Sequence, residues 1–278
     1  MVATPAGVTV RGLTFDLDDT LWCGKTVMKN ANAAFHAFLA QATPPLADQF
    51  PPAKFDALLV AFQRAMPEKA HDYTFLRQYT LRHCVSLCGA EKLNLLDHMQ
   101  LEAFVDAAFQ AFLVARSQPE LFHGVEGLFQ ALVAHLKRVR DDNGPFLGCI
   151  TNGNCNLNNL PTFFQDHMDF VVSAELVGTA KPNRAIFDAA VANFPAIHNR
   201  QQLVHVGDHY ECDVEGAKGA GLRTIWVNAT WSKANALTRD DLTQVDAEHY
   251  PAADAIVKDV CAVLHVVERW NALAKVAE

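Results

Sequence analysis

Short apolar runs built for strands return along this chain, each separated from the next by a helical pattern. The first runs from Val8 to Leu17, and "FLGCIT" (146–151), "FVVS" (170–173), "LVHVG" (203–207) and "TIWVN" (224–228) follow. Leu128, Phe129, Leu132, Val133 and Leu136 recur at helix spacing before the second run, and Ala185 to Phe194 does the same before the fourth. Strands alternating with helices imply an α/β fold, a Rossmann-like parallel sheet with helices on both faces. In such sheets a ligand binds beyond the carboxyl ends of the strands, where the strand order reverses.

Between about residues 25 and 117 the texture changes. Convincing strands are absent, and Leu101, Phe104, Val105, Ala108 and Phe112 repeat with a helical period. "TPPLADQFPP" (43–52) interrupts the helices once. The economical organisation is an α/β core from 1–24 and 118–278, with a helical lobe at 25–117 inserted after the first strand. From Pro251 onward the chain reads as one more amphipathic helix packed on the core.

Composition narrows the classes. A net charge of -8 argues against a general nucleic-acid binder, which carries a basic face. No apolar run reaches the roughly 18 residues of a membrane span. The residues before the first strand lack the charged and apolar regions of a signal peptide. Seven cysteines without a CxxC pair suit reduced thiols, and a cytoplasmic location is expected. Cys84 and Cys88 beside His83 have a spacing that could supply part of a metal site, but a core-facing helix is the simpler reading, since structural zinc takes four ligands.

The acidic stretch "TFDLDDT" (14–20) stands at the carboxyl end of the first strand, where three carboxylates crowd into four positions. Other polar groups stand at the other strand ends. The second strand stops at Thr151 and Asn152, Lys181 precedes a helix with Pro182 suited to its first turn, and the fourth strand stops at Asp208 and Asp213 in "GDHYECD". Each alone is a common turn or helix start. All of them, in order, fall at the strand ends of one sheet. Residues two apart on an extended segment point the same way, so Asp16 and Asp18 can both face a substrate. A hard divalent cation with oxygen ligands, Mg²⁺ above all, relieves such crowding.

With Asp16, Asp18 and Thr20 as DxDxT, then Thr151, Lys181 and the Gly207–Asp213 motif, the sequence resembles the haloacid dehalogenase superfamily. The resemblance covers the core, about two thirds of the chain, and the inserted lobe lies where that superfamily carries its helical C1 cap. It implies an aspartyl-phosphate mechanism. Asp16 is the expected nucleophile, and Asp18 the acid that protonates the leaving alcohol and then activates water. Thr151, the Asn152 backbone N–H and Lys181 are expected to hold phosphate. Mg²⁺ is expected on Asp16, the Asp18 backbone carbonyl and Asp208, with Asp213 in support. The core motifs are most similar to small-metabolite phosphatases, such as those acting on flavin-pathway or acylneuraminate phosphates.

Asp18 sorts the branches, because expelling a halide needs no proton and the dehalogenases lack an acid there. A phosphatase acting on a small phosphorylated metabolite is therefore expected, with a phosphotransferase or phosphomutase as the alternative, and a dehalogenase or an inactive binding module as remoter ones. Asp19 is expected to point away into a structural or solvent role. His209 stands where relatives carry a small polar residue, touching either the metal's water shell or solvent alone. Arg64, His71, Tyr73, Arg77 and Arg82 in the lobe are candidates to read the leaving group. Cys23 to Lys25 and Leu121 to Gly124 are the candidate hinges.

Overall fold

A computed structural model describes residues 7–95, 97–140, 144–154, 157–230 and 248–277. The chain forms two compact units. The first comprises Met1–Cys23, Glu120–Asn152 and Pro161–Glu278, and the second Gly24–Pro119 with Gly153–Leu160.

The first unit is built on six parallel strands: β1 (Gly12–Phe15), β2 (Leu147–Thr151), β3 (Phe170–Ser173), β4 (Leu203–Gly207), β5 (Arg223–Val227) and β6 (Ala255–Val257). Their order is β3-β2-β1-β4-β5-β6. The chain works outward from β1 on one side, then returns to lay β4 against its other edge, so the order reverses at β1. Phe15 pairs with Cys149 on one side and Val206 on the other. The crevice beyond the carboxyl ends of β1 and β4 is thereby the topological switch point. Helices at Val125–Val139, Arg184–Val191 and Val263–Ala277 accompany the sheet. The central strands are buried throughout, which is why they read as continuous apolar runs rather than alternating ones.

Besides β1, which takes only Gly12–Phe15 of the run from Val8 to Leu17, three features depart from the sequence reading. The stretch after Pro251 is not one helix: Ala255–Val257 pairs with β5 as a sixth strand, and the helix begins at Val263. A three-residue strand is too short to show a period. β5 begins at Arg223, a residue no strand pattern favours; its guanidinium stacks over Trp270 at 3.7 Å and donates to the Val8 carbonyl at 3.2 Å. Burial lowers its pKa to about 10. Pro182 lies outside the helix that follows it, because the Asn183 side chain accepts from Ala185 N–H and caps that helix.

In the second unit, helices at Gly24–Ala42, Pro44–Gln49, Pro52–Ala65, Tyr73–Cys88 and His98–Arg116 enclose a core including Phe35, Phe55, Leu81, Val105 and Phe112. The proline-rich break holds a short helix of its own, with Pro44 in its first turn. Cys84 and Cys88 belong to this apolar core, and burial pushes the Cys84 thiol up to about 12, so it is an inert thiol rather than a ligand. The His83 ring packs edge-on against Phe62. Arg77 is not a surface group: it is buried, stacked over Phe112 at 3.8 Å, and donates to Asn32 Oδ1. Arg82 is bound to the Glu102 carboxylate. No described helix is long and apolar enough to cross a membrane.

Gly216 joins fold to site. It is helical, yet a Cβ there would lie 2.9 Å from the Pro182 Cα and 2.8 Å from the Phe187 ring. The helix after Asp213 therefore approaches the Lys181–Pro182 segment as only glycine allows. Gly216→Ala should destabilise the protein by about 1–3 kcal/mol through overpacking, against the roughly 1 kcal/mol that alanine gains in a helix. Chemical denaturation measures this, and a more stable variant would contradict the packing.

Candidate active site

At the end of β1 the Asp16 N–H donates to the Val206 carbonyl at 2.8 Å and keeps the ladder going one residue past the strand. The chain then turns tightly. Leu21 N–H reaches back to Leu17, and Asp19 N–H donates to the Trp22 carbonyl at 2.7 Å with Asp19 at φ +60°. Aspartate tolerates this left-handed conformation better than most side chains. Asp18 stays half-buried, and its Oδ1 accepts the Trp22 indole N–H at 2.8 Å.

Lys181 is the hub. Its buried ammonium donates to Asp16 Oδ1 at 2.5 Å, Asp213 Oδ1 at 2.6 Å and the Ile150 carbonyl at 2.8 Å, which uses all three of its protons. The Asn152 side chain fixes the lysine from behind, accepting from Lys181 N–H at 2.7 Å and donating to the Lys181 carbonyl at 3.1 Å. Asp213 Oδ2 accepts the His209 N–H at 2.9 Å, and Asp213 Oδ1 also meets His205 Nε2 at 3.2 Å. Because a carboxylate only accepts, His205 carries its proton on Nε2, and its Nδ1 takes the Thr14 hydroxyl proton at 2.9 Å. Thr20 Oγ1 lies 3.5 Å from Asp16 Oδ2 and 3.3 Å from Asp208 Oδ1.

The charges do not balance. Burial raises Asp16, Lys181 pulls it down, and Asp213 and Asp208 push it up again, leaving it at about 8. Burial, then Asp213 and Asp19, push Asp208 up to about 6. For Asp213 the burial penalty is overcome by Lys181 and His205, which hold it well below the usual carboxylate range. Lys181 pays the same penalty, but Asp16 and Asp213 keep it charged. One ammonium thus faces three carboxylates. Ligand oxygens of Asp16, Asp208 and Asp213 lie within 4.8 Å of one another. An all-oxygen, net-negative donor set of this kind fits a hard divalent cation.

The structure brings Asp16, Lys181, Asp208 and Asp213 together and sets Thr151 at the adjacent end of β2, buried beside Ile150. The Asp18 carboxylate is not in the converging group; it is engaged by Trp22. The Asn152 side chain serves the lysine backbone. His209 caps the following turn, its Nδ1 accepting from Cys212 N–H. Asp19 is exposed, yet it lines a cavity of about 500 Å³ together with Thr20, Asp208, His123, Asn228 and Lys258.

Three residues that support Asp213 and Asp208 escaped the sequence reading. Thr14 and His205 are polar groups inside strands that are otherwise apolar, a signal that was present. Trp226, whose indole donates to the Asp208 carbonyl at 2.7 Å from within a cluster with Tyr210 and Tyr250, gave none.

This site sits in a known lineage. A family model described as a haloacid dehalogenase-like hydrolase matches residues 10–221, and the chain belongs to that hydrolase family. It is 34% identical over 145 residues to the pyrimidine 5'-nucleotidase YjjG of Escherichia coli (strain K12), a match spanning 50% of this chain but only 56% of that relative. It is 27% identical over 222 residues to the 5-amino-6-(5-phospho-D-ribitylamino)uracil phosphatase YigB of the same organism, covering 78% of this chain and 83% of that protein. Among solved structures, a 2-haloacid dehalogenase from Pseudomonas syringae pv. Tomato DC3000 superposes with a TM-score of 0.74 at 30% identity, over 94% of this chain and all of that one.

Because Asp16 and Asp208 are held at about 8 and about 6, cation binding must displace protons in that range. Protonation competes with the cation, so affinity should rise as pH rises from about 6 to 8. Titration calorimetry with Mg²⁺ in buffers of different ionisation enthalpy should show proton release that shrinks towards pH 8. Binding with no proton release at pH 6.5 would contradict the charge imbalance.

Proposed function

We propose that the protein is a cation-dependent phosphomonoester hydrolase acting on a small phosphorylated metabolite such as a nucleotide, flavin or sugar phosphate. The observation that carries this reading is the pair of unlike carboxylates on one loop. Asp16 is buried on Lys181, while Asp18 is half-buried and held by an indole N–H. Phosphoryl transfer asks for a nucleophile, a proton donor for the leaving oxygen, and positive charge on the transferred group.

In this reading the Asp16 carboxylate attacks phosphorus as the bond to the leaving oxygen breaks, and Asp18 gives that oxygen its proton. Asp18 then takes a proton from the water that attacks phosphorus, releasing inorganic phosphate and restoring Asp16. Lys181, turning its proton from Asp16 to the phosphate as that carboxylate attacks, joins Thr151 and the Asn152 N–H in holding the phosphate oxygens. A bound cation, Mg²⁺ by its preference for oxygen ligands, would supply the positive charge that Lys181 alone cannot. Asp16, Asp208 and the Asp18 backbone carbonyl would hold it, with Asp213 in support through Lys181. The named functions of the curated relatives, a nucleotidase and a ribitylaminouracil phosphatase, favour this substrate class. The helical unit is assigned as the cap that selects the leaving group. Of its five candidate readers, Arg64, His71 and Tyr73 are the ones not committed to internal packing or pairing like Arg77 and Arg82.

Dehalogenation is the second reading, favoured by the name of the 30%-identical structure. The chemistry at Asp18 decides against it, since a departing halide takes no proton. A panel of phosphorylated metabolites and 2-haloacids, each with Mg²⁺, separates the two. Phosphate release with selectivity among phosphomonoesters, lost in excess EDTA and reduced at least about 100-fold by Asp208→Asn, is the expected result. Halide release without phosphate release would overturn the reading.

A further inference from the structure

Trp22 is fully buried and was assigned no role by the sequence pattern. Its surroundings fix it at both ends. The backbone forms a parallel bridge with Asp18 and an antiparallel one with Leu121, and Phe122 N–H donates to the neighbouring Leu21 carbonyl at 2.9 Å. Its ring meets Phe164 edge-on, with centroids 5.5 Å apart. An indole has one polar atom, a donor, which when buried usually finds an acceptor. Trp226 satisfies the same need with a backbone carbonyl. Trp22 instead spends its N–H on a side-chain oxygen, Asp18 Oδ1 at 2.8 Å. The Asp18 carboxylate is thereby tied at Oδ1 to a buried ring that cannot itself turn.

We infer that Trp22 is the positioning residue of the acid–base carboxylate, holding Asp18 Oδ1 so that the other oxygen is presented to the leaving group. The inference rests on the phosphatase reading. When the Asp16 oxygen bonds to phosphorus and the ester P–O bond breaks, the electron pair of that bond goes to the leaving oxygen. The Asp18 proton goes with it, so the alcohol leaves neutral and Asp18 becomes a carboxylate that still accepts the indole N–H. A misdirected carboxylate would deliver the proton late, and the penalty grows with the basicity of the leaving group.

Substituted phenyl phosphates of graded leaving-group pKa test this without knowledge of the natural substrate. For the wild-type protein with Mg²⁺, kcat/KM should depend weakly on leaving-group pKa, because the proton is supplied. W22F keeps a ring in the pocket but removes the donor. It should lose about 10-fold or more in kcat/KM with phenyl phosphate and less than about 3-fold with p-nitrophenyl phosphate, within the roughly 10²- to 10⁴-fold a positioned acid supplies. Replacing the indole with benzothiophene, the same shape with sulfur in place of N–H, gives a second variant that preserves packing and should show the same steepened dependence. A uniform loss across the series, or none, in the benzothiophene variant would overturn the positioning role. A wild-type protein that cleaves no aryl or metabolite phosphate would overturn the phosphatase reading instead, and this inference with it.

Discussion

Everything at this site hangs on one buried ammonium. Lys181 holds Asp16, just beyond β1, and Asp213, in the turn after β4, at once, and takes the Ile150 carbonyl of β2 with its third proton. Three strand ends are thereby tied to a single positive charge. Removing one partner of such a buried pair typically costs about 3–5 kcal/mol, because the other charges are left uncompensated. Most of the neighbouring arrangement serves the same hub. Asn152 clamps the lysine backbone, His205 and the His209 N–H hold Asp213, and Gly216 lets the Lys181–Pro182 segment come close.

The hub is deliberately insufficient in charge. It neutralises Asp213 and part of Asp16, while Asp208, pushed up by burial and then by Asp213 and Asp19, draws no such relief from it. That residual negative charge suits the crevice to a hard cation, and in the proposed reading it admits a phosphate only once the cation is present. In the proposed reading, the crowding of carboxylates seen in the sequence is what lets the two be bound together.

Much of this is legible in the sequence. The strands β3 and β4 stand where their apolar runs placed them, and Asp16, Thr151 and Asp208 come to one edge because a parallel sheet puts all its carboxyl ends there. What escaped did so for physical reasons. β6 is three residues long, and Arg223 opens β5 only because Trp270 lies under its guanidinium. Arg77 stood among the candidate readers of the leaving group because sequence shows charge and not the Phe112 ring beneath it. Thr14 and His205 were visible as polar interruptions of apolar strands, but their meaning depends on Asp213, a loop and several residues away. The bond from Trp22 to Asp18 lies four residues apart in sequence and needs a turn whose geometry no periodicity encodes.

The central claim is that Asp16 forms a bond to phosphorus and Asp18 does not. Intact-protein mass spectrometry after acid quench tests it most directly, using acetyl phosphate or p-nitrophenyl phosphate, whose leaving groups need little protonation. The Asp18→Asn protein should accumulate one added phosphoryl group, because the nucleophile remains and nothing activates water for its removal, and peptide mapping should place that group on Asp16. The Asp16→Asn protein should carry none with any substrate. A phosphoryl group on the Asp16→Asn protein, or on any residue other than Asp16 in the Asp18→Asn protein, would contradict the assignment.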